Sequence, residues 1–345
     1  MSVVAAPKVK CVVWDLDNTL WSGTLSEGDD VTLRPGVLGA LELLDARGIL
    51  QSVASKNDYD FAWPKLQALG VDHFFLYPQI HWNSKAESIQ QIQKDLNIGF
   101  DTFAFLDDQP FEREEVSFHL PEVRSFEPEN LGELFQDDVF IPRFMTDDSR
   151  RRRAMYQSDA LRKTEEAAFK GPNEAFLTTL EMRFTVRPAE EADLQRAEEL
   201  TVRTNQLNTT GQTYSYEELA AILASPDHQL LVAELVDRFG SYGTIGLVLL
   251  KCEPEAWTIE LLLMSCRVMS RGVGGALITF LQNEALARKV RLRARFRPTD
   301  RNRMMYVTYK FAGFHELPDG EPDLLENDLS NIPVYPRYLE IDAHL

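Results

Sequence analysis

The stretch Lys10–Trp21, KCVVWDLDNTLW, decides the fold. Its apolar run Cys11–Trp14 is short and reads as a buried strand, and directly after it Asp15 and Asp17 set two carboxylates one residue apart with no glycine turn between. In open α/β sheets ligands gather outside the carboxyl ends of the strands, so Asp15 stands in a catalytic location by position alone. A bend after the strand can turn both carboxylates toward one point, where like charges repel unless a proton or a cation lies between them.

Working outward, short apolar runs alternate with amphipathic segments from Lys10 to about Phe126, which predicts βα units around a mostly parallel sheet. The predicted strands are Cys11–Trp14, Ile49–Ala54, Phe74–Tyr77, Thr102–Leu106 and Val123–Phe126. Helices are predicted over Pro35–Arg47, stopped by Gly48, and Asp58–Leu69, stopped by Gly70.

The ends of the other strands add polar groups. SVASKND supplies Ser55, HWNSKAESI supplies Lys85 ahead of a helix, and FLDDQPFE supplies Asp107 and Asp108. Mg²⁺ takes hard oxygen ligands, commonly one or two carboxylates with substrate phosphate and water, and a hydroxyl and an ammonium beside it suit a phosphoryl group. Any one of these residues alone is most often a cap or a solvated turn residue. The four strand ends taken in order carry the chemical reading.

The chain has 345 residues, comfortable for two domains. We expect a first domain over 1–143, a linking helix over 144–172 beginning MTDDSRRRR and closing at Gly171–Pro172, and a second domain over 173–345. In the second domain, strands are predicted at Met182–Val186, Gln229–Val236, Thr244–Lys251, Trp257–Met264 and Val290–Phe296. Its predicted helices lie near Asp193–Thr204, Tyr216–Ala224, from the glycine turn to Ala287, and Asn302–Phe311.

A formal net charge of -18 disfavours nucleic acid, and no apolar run approaches the roughly eighteen residues of a membrane span. No signal or transit pattern opens the sequence, so a cytoplasmic location is expected. Cys11, Cys252 and Cys266 are too few for a disulfide framework or a zinc cluster.

DLDNT, Ser55, Lys85 and the LDD pair together resemble the four motifs of the haloacid dehalogenase (HAD) superfamily, mostly Mg²⁺-dependent phosphotransferases. The resemblance implies a doubly wound, Rossmann-like α/β domain. It also implies Asp15 as the nucleophile that forms an aspartyl-phosphate, and Asp17 as the group that protonates the leaving oxygen and later activates water. The implied Mg²⁺ shell is Asp15, the Asp17 carbonyl and Asp107, oriented by Asp108, with Ser55 and Lys85 on the phosphoryl oxygens.

In the second half, SCRVMSRGVGGALI follows a strand and opens a helix, so its backbone N–H groups can approach a phosphate. It resembles the pyrophosphate loop of the GNAT acyltransferase fold, with Gly272 and Gly274 as the glycine pair and Met269 where Gln or Arg is usual. Over nearly the whole chain, KCVVWDLDNTLW, SKND, LNIGFDTFAFLDDQPFERE, RTNQLNTT, DRFGSYGTIGL and SCRVMSRGVGGAL resemble the FkbH-like proteins of polyketide biosynthesis, which join a subfamily IIIC HAD phosphatase domain to a GNAT-like α/β domain.

That resemblance implies a glyceryl transferase and phosphatase. It would take 1,3-bisphosphoglycerate, remove its phosphates and load a D-glyceryl thioester onto a phosphopantetheinylated acyl carrier protein. Cys266, beside Arg267 and a helix N-terminus, is the candidate acyl-carrying thiol, the alternative being a buried core cysteine. Arg203, Asn205, Gln206 and Asn208 in RTNQLNTT lie at a helix end, where the amides are candidates for hydrogen bonds to the acyl group or pantetheine arm, or else they cap the helix. In VRLRARFRP a strand would align Arg291, Arg293, Arg295 and Arg297 on one face, either to guide an acidic carrier or as solvated surface, as would Arg150 to Arg153. Two other functions fit the same motifs: a phosphatase for another small phosphorylated acid, and a carrier-binding scaffold with a relic site.

Overall fold

The computed structural model describes residues 7–204, 206–317 and 321–345. The chain divides into two compact units, Met1–Ala160 and Leu161–Leu345, the division falling inside one long helix.

The first unit runs β1 (Cys11–Trp14), β2 (Trp21–Ser22), β3 (Thr32–Leu33), α1 (Val37–Ala46), β4 (Leu50–Ser55), α2 (Tyr59–Ala68), β5 (Gln79–Ile80), α3 (Lys85–Leu96), β6 (Phe103–Leu106), α4 (Pro110–His119), β7 (Arg124–Phe126), α5 (Leu131–Leu134), α6 (Asp147–Arg150) and α7 (Arg152–Ala168), whose last turns belong to the second unit. Five strands form a parallel sheet in the order β5-β4-β1-β6-β7.

Two-residue alternation explains why β1 is apolar throughout. Val12 and Trp14 pack with Ala40, Leu41 and Leu44 of α1 and Ala62 and Leu66 of α2 on one face. Cys11 and Val13 pack with Ile89 and Ile92 of α3 and Val116 of α4 on the other. A strand buried on both faces has no polar side to display.

The strand predicted at Phe74–Tyr77 is displaced. Asp72–Phe74 is a 3-10 turn, Phe75 makes a single bridge to Gln51, and the fifth strand lies at Gln79–Ile80. Tyr77 has φ 49, in the left-handed region, so the extended run cannot continue through it. The β2–β3 hairpin was not foreseen either, since two residues per strand carry no periodicity.

The basic run at 150–153 is partly internal to this unit. Arg153 pairs with Asp45 (2.8 Å) and donates to the His73 carbonyl, and Arg152 donates to the Gly48 carbonyl at 2.6 Å. Gly48 must be glycine: φ is +68, and a Cβ would lie 2.4 Å from the Ser149 carbonyl oxygen.

The second unit continues with α8 (Asn173–Thr179), β8 (Met182–Pro188), α9 (Leu194–Arg203), α10 (Tyr216–Leu223), β9 (His228–Asp237), β10 (Gly240–Cys252), β11 (Ala256–Met264), α11 (Val273–Arg288), β12 (Arg291–Arg295), α12 (Arg303–Phe311), β13 (Phe314–Glu316), β14 (Leu324–Asn327) and β15 (Leu339–Ala343). Its eight-stranded sheet has the order β13-β14-β12-β11-β10-β9-β8-β15. β8 to β11 are antiparallel neighbours, and β11 and β12 are parallel across the α11 crossover. One face packs on α11 and α12 through Val248, Ile259, Leu277, Leu281 and Tyr309, and the other on α9 and α10 through Leu247, Leu261, Leu200 and Leu219.

The arginine strand does not present free charge. Arg293 pairs with Glu326 at 2.7 Å, Arg295 with Glu321 at 2.7 Å and Asp323 at 3.2 Å, Arg297 with Asp323 at 3.0 Å, and Arg291 lies 3.7 Å from Glu255. Antiparallel β14 sets Glu326 opposite Arg293, and Glu321 and Asp323 just before that strand pair with Arg295 and Arg297.

Candidate active site

Parallel pairing brings the ends of β1 and β6 side by side. The Asp15 amide donates to the Leu106 carbonyl (2.9 Å), and the next residue, Asp107, therefore opens at the same level of the sheet. Asp15 is 4% exposed and Asp107 0%. Asp15, Asp107 and Asp108 each offer a carboxylate oxygen within 4.8 Å of the others.

Lys85 enters from the first turn of α3, capped by Ser84, whose hydroxyl accepts from the Glu87 amide. A buried ammonium at the positive end of a helix is unfavourable on its own. Its Nζ donates to Asp15 Oδ1 at 2.8 Å and to Asp107 Oδ2, which supplies the compensation. Burial pushes the Asp15 carboxyl up to about 7; Lys85 opposes the shift and Asp107 adds to it. Burial also raises Asp107, against Lys85. For Lys85 burial alone would lower the pKa, but the two carboxylates more than offset it, and the ammonium is held charged.

Three carboxylates face one ammonium, so the cluster is short of positive charge. An all-oxygen donor set of this size and charge fits Mg²⁺. Asp15, Asp107 and Asp108 are the side chains that would hold it. Asp108 is fixed by Thr19, whose Oγ1 accepts from the Asp108 amide (3.0 Å) and donates to Oδ1 (3.3 Å), and the Gln109 amide donates to Asp107 Oδ1 at 2.8 Å. Arg113 donates to the Asp107 and Asp108 carbonyls at 2.7 and 2.9 Å.

The Asp17 carboxylate is not a member of this cluster. Oδ1 accepts from Trp21 Nε1 (2.7 Å) and the Leu25 amide (3.0 Å), and Oδ2 accepts from Asn57 Nδ2 (2.8 Å). Ser55 is buried as the last residue of β4, opposite Ile80. Thr19, Asn57 and Arg113 were not singled out from sequence, although each lies inside or just beyond a quoted motif. A polar residue two positions past a strand end reads as a turn residue until its partner is known.

In the second unit Cys266 is exposed and opens a single 3-10 turn, Cys266–Val268, after β11. The core-cysteine alternative is therefore excluded for it. Cys11 is fully buried with its thiol pushed up by burial, and Cys252 is half-buried and pushed up to about 11. The neighbouring Arg267 donates to the Tyr242 carbonyl at 2.9 Å.

Gly272 caps α11 with φ 77, where a Cβ would meet Tyr338 Oη at 2.4 Å, and Gly274 lies in the first turn with open space at its Cβ position. Cys266, Gly272 and Gly274 thus share one strand-to-helix connection. Asn205 lies outside the described residues, and Gln206 is exposed.

Leu207 and Thr209 hydrogen-bond the free edge of β11 beyond its pairing with β12, through Met264 N to Leu207 O (2.9 Å) and Thr209 N to Leu262 O (3.0 Å). Buried Asn302 donates to the Asn208 and Arg297 carbonyls, both at 2.9 Å, and locks the insertion in place. A cleft of about 640 Å³ is lined nearby by Thr210, Gln212, Tyr214, Glu260, Arg295 and Arg297.

These topologies define the class. The first unit is a doubly wound, Rossmann-like α/β domain with a parallel sheet, and the second is a mixed α/β domain whose sheet is covered by helices on both faces. No family model matches the chain, and no curated protein matches it. Among solved structures it is similar to the N-terminal part of BF1531 from Bacteroides fragilis, containing a phosphatase domain complexed with Mg. The identity is 31% over 39% of this chain and 41% of that chain, with a TM-score of 0.35. It is similar as well to the ribosomal-protein-S18-alanine N-acetyltransferase of Escherichia coli (17% identity, 44% of this chain, 99% of that chain, TM-score 0.33). A HAD-superfamily hydrolase from Ehrlichia chaffeensis is a third (12%, 38% and 97%, TM-score 0.32). The aligned part thus spans less than half of the Bacteroides chain. Among the described residues no helix is long and apolar enough to cross a membrane.

Proposed function

We propose that the protein is a Mg²⁺-dependent phosphatase coupled to acyl transfer. It dephosphorylates 1,3-bisphosphoglycerate and passes the D-glyceryl unit, as a thioester, to a phosphopantetheinylated acyl carrier protein of a polyketide or related pathway in the cytoplasm. The observation that carries the reading is the buried set Asp15, Asp107 and Lys85 at adjoining strand ends, with Asp108 beside it. A purely structural ion pair has no use for the surplus carboxylate.

At the C3 monoester, an Asp15 oxygen attacks phosphorus while the ester P–O bond breaks, and Asp17 supplies a proton to the departing oxygen. Water then attacks the aspartyl-phosphate, giving its proton to Asp17, and Asp15 is restored. Lys85 and the Ser55 hydroxyl orient the phosphoryl oxygens and offset their charge. Bound Mg²⁺ would supply further neutralisation of that charge.

The acyl phosphate at C1 is already activated toward a thiol. The Cys266 thiolate can attack the acyl carbon with loss of phosphate, and a pantetheine thiolate can then take the glyceryl group and release Cys266. Its exposure on the β11–α11 connection supports this role. The two glycines of that connection and the exposed Gln206 are the groups we assign to the substrate's phosphate and acyl ends.

Intact-protein mass after incubation with 1,3-bisphosphoglycerate and Mg²⁺, for wild type and Cys266→Ala, then with carrier protein, tests the proposal. A glyceryl adduct that needs Cys266 and moves to the carrier is expected. Phosphate release with no adduct on enzyme or carrier would leave a phosphatase for another small acid and overturn the transfer.

A further inference from the structure

The surroundings of Asp17 distinguish its two oxygens. Oδ1 accepts two N–H groups, from the Trp21 indole and the Leu25 main chain, which fill both of its in-plane lone-pair directions. Oδ2 accepts one, from the Asn57 amide, and keeps one direction free. Trp21 is wholly buried and Asn57 is 2% exposed, so neither donor can swing away without disturbing its packing.

The donors come from separate parts of the unit. Trp21 and Leu25 lie in and beside the β2–β3 hairpin, and Asn57 lies two residues past the end of β4. Rotation of the Asp17 carboxylate would break at least one of the three bonds. The side chain is clamped from two sides, with one oxygen saturated and the other half open.

We propose that Trp21 and Asn57 are positioning residues that reserve Oδ2 of Asp17 as the proton-carrying oxygen of the phosphatase reaction, an inference that rests on the phosphatase reading above. As the bond from Asp15 to phosphorus forms and the ester P–O bond breaks, the proton on Oδ2 moves to the departing alkoxide oxygen. The negative charge left on Asp17 is received by the three N–H groups already in place. Neither Trp21 nor Asn57 touches the phosphate in this account, so their removal weakens proton delivery and leaves substrate binding in place.

Leaving-group dependence reads this directly. A p-nitrophenolate departs without a proton, whereas the alkoxide of 3-phosphoglycerate needs one. With Mg²⁺ present, Asn57→Ala and Trp21→Phe are each expected to lower the ratio of kcat on 3-phosphoglycerate to kcat on p-nitrophenyl phosphate by about tenfold or more, with KM little changed. Trp21→Phe keeps a buried aromatic ring and removes the N–H, so it serves should Asn57→Ala fail to fold. An active wild type whose ratio is unmoved by these changes overturns the inference alone. A wild type that releases phosphate from neither compound overturns the phosphatase reading and the inference with it.

Discussion

Each unit of this protein buries a basic side chain against carboxylate, and the two sites are built differently. In the second unit Arg162 forks onto Asp237 at 2.7 and 2.9 Å, and the same carboxylate accepts from Tyr242 Oη and from the Phe239 and Gly240 amides. Five fixed donors close the coordination of this anion. In the first unit Lys85 meets both Asp15 and Asp107, with Asp108 beside them. A carboxylate saturated by fixed donors holds a fold together, whereas a buried cluster of three carboxylates around one ammonium at strand ends is suited to receive something positive.

The largest difference between the two should appear in activity. Lys85→Met is expected to lower phosphate release by about 10³-fold or more, while Arg162→Met should leave phosphate release by folded protein near the wild-type rate. An equal effect of the two on phosphate release would erase the distinction.

Stability should divide the other way. Arg162→Met strands a buried carboxylate and is expected to cost about 3–5 kcal/mol, measured by denaturant unfolding, with no recovery on adding Mg²⁺.

The unbalanced cluster should also respond to pH and metal. The folded-state pKa of Asp15, about 7, lies above its unfolded value near 3.9. Between those values the folded state holds the proton and the unfolded state does not. Without Mg²⁺, this group's stabilising contribution is full below about pH 4 and is lost as pH rises to about 7. Thermal melts with and without Mg²⁺ should show metal stabilisation growing from pH 6 to pH 8, because metal and proton compete for the same oxygen. A metal-induced shift independent of pH would contradict this.

The smallest expected effect is at the surface. Arg293→Gln removes a partly exposed pair with Glu326 and should change stability by about 1 kcal/mol or less. A loss several times larger would mean that the arginine strand is more than paired surface.

Much of the first site was readable in sequence because its groups follow apolar strands, and strand ends are where such folds place chemistry. Asp15, Ser55, Asp107 and Asp108 fall there, and Lys85 opens the helix that follows β5. What escaped were groups whose meaning depends on a distant partner: Asn57 across 40 residues from Asp17, and Thr19 across 89 from Asp108. The arginines of β12 show the reverse case, since their pattern was clear but the acidic partners of Arg293, Arg295 and Arg297 came from β14 and the residues just before it, not recognisable as a strand. In RTNQLNTT the amides read as ligand groups or as a helix cap; Asn208 Oδ1 accepts from the Thr210 and Gly211 amides of its own turn, and Leu207 and Thr209 complete the edge of β11. Cys266 could be placed on its turn by sequence, but only the fold showed that it is exposed.

The central claim is that Asp15 is the reacting carboxylate of a metal-assisted phosphatase. It is tested most directly by phosphate release from p-nitrophenyl phosphate with Mg²⁺, comparing wild type with Asp15→Asn after circular dichroism has confirmed that both are folded. A loss of about 10³-fold or more in a folded Asp15→Asn protein is the result expected. Retention of activity within about tenfold would contradict the claim and place the chemistry elsewhere.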